Sequence, residues 1–199
     1  MDIVIASNNL HKIEEYREIF QGWEGKILSM KDAGIFVSPE ENGATFQENS
    51  LIKARACAER TDKVVLADDS GLIIPSLPNI LGVETSRFLG ENTPYPVKWA
   101  EILRRLEGKN REARFVCCIT VVNLSEKPAV FVGECPGSIG ERPEGNTGFG
   151  YDPIFIPEGY DRSFACLGED LKNRISHRAR ATEKMIAWLK ENFDENFID

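Results

Sequence analysis

Several features that would define a function class are missing from this 199-residue chain. No stretch approaches the ~20 apolar residues that a membrane span needs, and the first residues, MDIVIASNN, lack the basic start of a signal peptide. There are no repeats and no low-complexity tracts. The net charge is −8, whereas a protein that coats DNA or RNA is basic. We therefore expect a cytoplasmic protein with no membrane and no nucleic-acid partner.

The five cysteines lack the CxxC spacing of metal and redox sites. Cys117 and Cys118 are adjacent in a strand-like run, where their side chains should face opposite ways. We interpret all five as reduced thiols of a hydrophobic core. With 42% apolar and 28% charged residues, the chain has the composition of a soluble globule. Its length predicts a single domain over residues 1–199, or two lobes that share a core.

What the sequence does contain is a mixture of helix and strand patterns. Apolar spacing predicts strands at 3–6, 63–67, 113–124, 129–135 and 153–156, and helices at 11–20, 45–60, 96–106 and 176–193. Thr45 and Glu48 have the spacing of a capping box at the start of the second helix. A short turn between strands 113–124 and 129–135 predicts a hairpin, so helices occur together with both hairpin and crossover connections. The predicted class is therefore α/β with a mixed sheet.

Two adjacent aspartates follow the apolar run at 63–67, in the segment LADDSG. Strands accommodate aspartate poorly, so Asp68 and Asp69 at the strand end indicate a need for negative charge. If the strand continued, the two side chains would point to opposite faces of the sheet. Glu41 lies in a loop before the second helix. A few carboxylates from separate elements suit Mg²⁺, which keeps water and phosphate oxygens in its other positions.

Basic residues open two of the predicted helices, in SNNLHK (7–12) and SHRAR (176–180). Helix N-termini carry partial positive charge, so cations there are unfavourable unless an anion binds between them. The glycine-rich P-loop pattern is absent. The alternatives are a capped helix with a solvated lysine and a surface charge cluster. Lys53 shares a helix face with Asn49 and could reach the same anion.

A glycine-rich loop, GNTGFGYDP (145–153), places Phe149 between two glycines. An exposed ring on such a loop can stack on a flat heterocycle. The alternative is a turn whose aromatic side chain is tucked into the core.

Five motifs follow one another along the chain: SNN-x-H-K, E-x-G-x-T-F-x-E-N-x-x-x-K-A, ADDSGL, GFGYDPIF and SHRARA. In this order they closely resemble the inosine triphosphate pyrophosphatase family, and the resemblance extends from Ile3 to about Leu189. The resemblance implies an elongated mixed sheet flanked by helices, with two lobes, the active-site cleft between them, and commonly a homodimer. It implies Mg²⁺-dependent hydrolysis of ITP, dITP and XTP to the nucleoside monophosphate and pyrophosphate, which cleanses the nucleotide pool.

The same resemblance implies roles for individual residues. The catalytic residues would be Asp69, Lys12 and Lys53, and the metal ligands Glu41, Asp69 and Asp68. Ser7, Asn9 and Lys12 would grip the triphosphate, with Lys53 as a further phosphate contact, and Asn8, His11 and Ser70 would also bind substrate. The base pocket would consist of Phe149, Gly150, Tyr151, Asp152, Lys172, His177 and Arg178. His11 stands where relatives often carry glycine.

Three other functions stay open at this point. One is a house-cleaning pyrophosphatase for pyrimidine or methylated nucleotides. Another is a non-catalytic nucleotide sensor, which could dispense with the acids. The third is a phosphatase that removes only the terminal phosphate and releases orthophosphate.

Overall fold

Residues 1–193, the part of the chain that the computed structural model describes, contain both strands and helices. The strands are β1 (Ile3–Ile5), β2 (Ile27–Ser29), β3 (Val64–Ile73), β4 (Glu112–Val122), β5 (Ala129–Ile139) and β6 (Phe155–Pro157). The helices are α1 (Leu10–Ile19), α2 (Phe46–Ala58), α3 (Tyr95–Arg105), α4 (Phe164–Leu167), α5 (Glu169–Ile175) and α6 (His177–Asn192). Residues 194–199, the end of the predicted domain, lie outside the described residues.

These strands form one sheet in the order β2-β1-β3-β4-β5-β6. β1 pairs in parallel with both β2 and β3, and Ile3 lies opposite Ile27 on one side and Val64 on the other. β5 and β6 pair antiparallel. The prediction of a mixed sheet flanked by helices is therefore confirmed.

The chain divides into two compact units, and neither is continuous in sequence. The first unit contains Met1–Asp69, Cys117–Gly133 and the chain from Arg178 onward. The second unit contains Ser70–Val116 and Glu134–His177.

In the first unit, alternate residues of β1 and β3 belong to two different cores. One core contains Ile3, Ile5, Val64 and Leu66 with Ile13 and Tyr16 of α1 and Ala181, Met185 and Leu189 of α6. The other contains Val4, Val65 and Ala67 with Ala54 and Cys57 of α2. This alternation follows from the two-residue period of a strand. It places α1 and α6 against one face of these strands and α2 against the other.

The second unit has its own core, which includes several packed aromatic rings. Phe115 of β4 packs on Phe155 with ring centroids 4.6 Å apart, and Phe155 stacks on Phe164 at 5.5 Å. Ile102 and Leu106, from α3 and the residue that ends it, are fully buried in the same cluster. Each unit can therefore bury apolar surface by itself, which is the main favourable term in folding.

The four predicted helices are confirmed as α1, α2, α3 and α6, with ends that differ by one or two residues. The capping box is also present: Thr45 Oγ1 accepts from the N–H of Glu48 at 3.1 Å, and Glu48 Oε2 accepts from the N–H of Thr45 at 3.2 Å. No helix within residues 1–193 is both long and apolar enough to cross a membrane.

Three predicted strands have the wrong limits. The strand predicted at 129–135 continues as β5 to Ile139. The strand predicted to end at 67 continues to Ile73, so Asp68 and Asp69 lie inside it. The strand predicted at 153–156 begins as a 3₁₀ turn at Asp152–Ile154, and β6 starts only at Phe155. The sequence patterns also missed β2, α4 and α5, which are short.

The five cysteines are all free thiols, and four of them are buried as predicted. Cys166, in the short helix α4, is only half-buried. The prediction of core thiols is therefore wrong for this one residue.

Candidate active site

The acidic pair in β3 continues the alternation of the two cores. Val64 and Leu66 face α1 and α6, so Asp68 falls on that face, and Asp69 follows Val65 and Ala67 onto the face of α2. Both side chains are buried. Because a buried carboxylate needs a partner, each face must supply compensating groups.

Asp68 receives its compensation from two cations. Nζ of Lys12 lies 3.0 Å from Oδ2 of Asp68, and Nη2 of Arg178 donates to the same oxygen at 3.1 Å. The thiol of Cys117 in β4 donates to it at 3.8 Å. Lys12 belongs to the first turn of α1 and Arg178 to that of α6. The two basic helix starts therefore meet at one carboxylate of the protein itself.

The start of α1 is shaped by its short polar segment. Asn9 is the N-cap, and its Oδ1 accepts the backbone N–H of His11 at 3.0 Å and that of Lys12 at 3.4 Å. Ser7 Oγ accepts from the N–H of Asn9 at 3.1 Å. Asn8 is exposed, and the side chain of His11 lies on the surface near Glu14. Of this segment, Lys12 alone reaches a buried acid.

Arg178 is fully buried, and its guanidinium contacts Glu15 of α1 through Nη1 as well as Asp68. Burial opposes the charged form, but the carboxylates of Glu15 and Asp68 outweigh it and raise the pKa of Arg178. The guanidinium lies against the ring of Tyr16, 5.8 Å from its centroid. Within the described residues Arg178 is thus a centre of charge pairing in the first unit. Its predicted role in reading the base stays a prediction.

Asp69 meets a different set of groups on the α2 face. Nζ of Lys53 donates to Oδ1 of Asp69 at 3.1 Å and to Oε2 of Glu41 at 2.8 Å. Burial raises the pKa of Asp69, although Lys53 and Lys12 oppose that shift. Burial lowers the pKa of Lys53, but the charges of Asp69, Asp68 and Glu41 outweigh it and leave that pKa raised. Lys53 therefore stays an ammonium at neutral pH.

Glu41 and Asp69 are the residues that could hold a metal ion. Both carboxylates converge on the same ammonium, so they lie close together, and oxygen ligands of this kind suit Mg²⁺. Residues 1–193 contain no group of three or more His, Cys, Asp or Glu side chains arranged to hold a metal. The structure thus brings together two of the three predicted ligands, while Asp68 faces Lys12 and Arg178. Two carboxylates fit Mg²⁺, since it commonly retains several water and phosphate oxygens.

In the second unit, three of the predicted base-pocket residues form a tight cluster. Nζ of Lys172 donates to Oδ2 of Asp152 at 2.8 Å, and the backbone N–H of Phe149 donates to the same oxygen at 2.8 Å. The ammonium of Lys172 lies 4.2 Å from the centroid of the Phe149 ring, a cation–π contact. Phe149 is half-buried, between the exposed ring and the tucked ring considered from sequence.

The other predicted residues of that unit contact its core or are only partly buried. The Tyr151 hydroxyl donates to the carbonyl of Thr85 at 2.8 Å. His177 is buried and stacks on Phe115 with centroids 4.8 Å apart. The carbonyl of Gly150 accepts from Trp99 Nε1 at 2.9 Å, and Ser70 is half-buried in β3.

Two residues of the first-unit site were missed from sequence. Glu15 pairs with Arg178 across 163 positions, and Asn49 donates to Asp69 across 20. Asn49 was placed on the same helix face as Lys53, which was the one available signal. Nothing in the sequence marked Glu15, a common residue type in a surface helix.

Comparison with known proteins decides the family. The model of the Ham1 family matches residues 3–188 of this chain. The chain belongs to the Ham1 family. One Ham1 relative, from Thermoanaerobacter pseudethanolicus, is 41% identical over 198 residues, which cover 98% of this chain and 100% of that protein. That relative is named dITP/XTP pyrophosphatase.

Solved Ham1 structures share the fold. The Ham1 protein of Staphylococcus aureus aligns with a TM-score of 0.86 at 35% identity, covering 96% of this chain and 99% of that one. A HAM1 protein from Coxiella burnetii aligns with a TM-score of 0.87 at 37% identity, with the same coverage. The predicted family likeness is therefore confirmed over nearly the whole chain.

Proposed function

We propose that this protein hydrolyses deaminated purine nucleoside triphosphates, namely ITP, dITP and XTP, to the nucleoside monophosphate and pyrophosphate. The relatives named dITP/XTP pyrophosphatase support this reaction and substrate class. The observation that carries the proposal is the arrangement around β3, where Asp68 and Asp69 present buried acids to opposite faces with a lysine on each. Paired acids and lysines are what phosphoryl chemistry requires of a protein.

We assign the metal to Glu41 and Asp69 and propose that it is Mg²⁺. When bound, Mg²⁺ supplies positive charge that stabilises the phosphate oxygens in the transition state. Asp69 would orient a water molecule toward the α-phosphorus and accept its proton. Lys12 and Lys53 would neutralise charge on the departing pyrophosphate.

Base selection is assigned to the residues that the family likeness places in the base pocket. Hypoxanthine and xanthine carry a carbonyl at C6, where adenine carries an amine. Donors from Lys172, His177 or Arg178 would pair with that oxygen and lose their partner if adenine took its place. A buried unmatched donor costs about 1–3 kcal/mol, so two such donors give strong discrimination. Phe149 would stack on the base.

We further propose that the protein acts in the cytoplasm as a homodimer. The cytoplasmic assignment follows the sequence analysis, and the homodimer follows the family likeness.

A product assay tests the proposal. The purified protein is incubated with ITP, XTP, GTP or ATP and Mg²⁺, and both products are identified. We expect pyrophosphate and a monophosphate from ITP and XTP, with little turnover of ATP. Release of orthophosphate alone would refute the bond assignment. Preference for pyrimidine or methylated nucleotides would refute the substrate class, and binding without turnover would indicate a sensor.

The matched variant is Asp69→Asn, with Asp32→Asn as control. Asp69→Asn should lower kcat at least about 100-fold, since a positioned proton acceptor contributes that much or more. Asp32 is a half-exposed acid of the same unit that pairs with Arg17 at 2.8 Å, so its change should leave kcat intact. Near-normal activity of Asp69→Asn would remove Asp69 from the catalytic role.

A further inference from the structure

Asn49 is a fully buried polar residue in the first turns of α2, and both ends of its amide are used. Its Nδ2 donates to Oδ2 of Asp69 at 3.2 Å. Its Oδ1 accepts the backbone N–H of Gly43 at 2.8 Å. Gly43 lies two residues from Glu41 on the loop before the helix. One side chain thus connects the loop that carries Glu41 to the strand that carries Asp69.

The two oxygens of Asp69 are held by two residues of one helix face. Oδ1 accepts from Lys53 and Oδ2 from Asn49, which are four positions apart. Bonds to both oxygens fix the plane of the carboxylate, whereas a single bond would leave it free to rotate. Lys53 also reaches Glu41. Because a lysine stem is flexible, its contacts orient the acids less rigidly than an amide on a short side chain does.

Gly43 approaches the helix start more closely than another residue could. A Cβ added at Gly43 would lie 2.7 Å from Oδ1 of Asn49 and 2.7 Å from Cβ of Glu48. The short distance between loop and helix is therefore tied to the Gly43–Asn49 hydrogen bond. This close approach of the loop to the helix fixes the backbone position from which the side chain of Glu41, two residues earlier, extends.

We propose that Asn49 is a positioning residue, which fixes the orientation of the Asp69 carboxylate and ties the Glu41 loop to it. The inference rests on the proposed function, because it assumes that Glu41 and Asp69 are the reacting acids. Partners that orient ligating carboxylates typically contribute 10–100-fold to activity or metal affinity.

The neighbouring residue provides a matched control. Ser50 is equally buried on α2, and its hydroxyl bonds Thr120 Oγ1 at 2.6 Å and the carbonyl of Gln47 at 3.0 Å. It makes no contact with Glu41 or Asp69 in the hydrogen bonds of residues 1–193. Ser50→Ala therefore removes buried hydrogen bonds from the same helix without touching the acids.

The test compares Asn49→Ala, Asn49→Asp and Ser50→Ala. Asparagine and aspartate have the same shape, so Asn49→Asp keeps the acceptor for Gly43. It replaces the amide donor to Asp69 with a second carboxyl group, which repels the Asp69 carboxylate or shares a proton with it. We expect kcat for ITP to fall 10–100-fold in both Asn49 variants with KM changed less than threefold. Ser50→Ala should keep kcat within twofold of the unchanged protein, even if its Tm falls as far as that of the Asn49 variants.

Hydrogen exchange on metal-free protein gives a second readout that needs no activity. The Gly43 amide should exchange at least tenfold faster in Asn49→Ala, and stay protected in Asn49→Asp and Ser50→Ala. A kcat within threefold of normal in Asn49→Asp, or unchanged Gly43 exchange in Asn49→Ala, would overturn the inference. If the unchanged protein released no pyrophosphate, the proposed function would fail, and with it the catalytic part of the inference. The Gly43 result would still decide whether Asn49 ties the loop.

Discussion

The buried ion pair of Lys172 and Asp152 gives a prediction whose size follows from the structure. Nζ of Lys172 lies 2.8 Å from Oδ2 of Asp152, and each side chain is 4% exposed. The same oxygen accepts the backbone N–H of Phe149 at 2.8 Å. Asp152→Ala would therefore remove the acceptor of two donors at once, one buried and charged and the other part-buried.

We expect this change to be among the most destabilising in the second unit. Removing one partner of a buried ion pair costs about 3–5 kcal/mol in free energy of unfolding. A chain of this size loses about 2–4 °C in Tm per kcal/mol, so Tm should fall by roughly 6–20 °C. The double variant Asp152→Ala/Lys172→Met should lose less free energy of unfolding than the sum of the two single variants, by about 0.5–3 kcal/mol. The reason is that the double variant leaves no unpaired ammonium in the interior.

Urea unfolding followed by tryptophan fluorescence measures these free energies, with circular dichroism as a second probe. Arg142→Met is the control, since it breaks an ion pair in the same unit whose side chains are 81% and 38% exposed. That control should cost less than about 1 kcal/mol. A loss below about 1 kcal/mol in Asp152→Ala, or strict additivity of the double variant, would refute the reasoning.

Three further predictions concern other groups. Arg178→Ala should lower the free energy of unfolding by about 3–5 kcal/mol, because buried Asp68 loses one of its two cations and Glu15 loses its arginine, and should change the ITP-to-ATP rate ratio if Arg178 reads the base; an unchanged ratio would contradict that role. Ellman's reagent should modify Cys166 first in the native protein and leave Cys57 unmodified, because burial raises the pKa of Cys57 to about 11; rapid modification of Cys57 would contradict its burial. Hydrogen bonds from Arg104 and its neighbour lower the pKa of Glu101 from 4.5 to about 2. Glu101→Gln should therefore lower Tm, and the difference in Tm from the unchanged protein should be largest above pH 4.5 and shrink as the pH falls toward 2. A difference in Tm that grows in acid would contradict this reasoning.

Much of the local structure could be predicted from short patterns. The capping box at Thr45 and the amphipathic spacing of α3 depend on residues a few positions apart, and both are confirmed. β3 could not be predicted to its full length. Aspartate disfavours a strand, and what compensates it here comes from Lys12, 56 positions earlier, and Arg178, 110 positions later.

The candidate site was predictable to the same extent. Residues with a motif around them, such as Lys53 and Glu41, were found and lie together. The basic start of α6 was interpreted as a place for a bound anion, which stays a prediction; the structure pairs Arg178 there with Asp68 and Glu15. The contact of Asn49 with Asp69 was not predicted, because a buried amide looks in sequence like any polar helix residue.

The discontinuity of the first unit bears on how the protein matures during synthesis. The chain leaves that unit after Asp69 and returns to it for Cys117–Gly133. It enters the unit for the last time at Arg178. Its core, however, needs Met185 and Leu189 of α6. In a nascent chain that still lacks α6, Asp68 would not be paired with Arg178. The sheet face against which α6 packs would be exposed. The ribosome must therefore deliver nearly every residue before the acidic strand is shielded, and stalled or shortened products should be inactive and prone to aggregate.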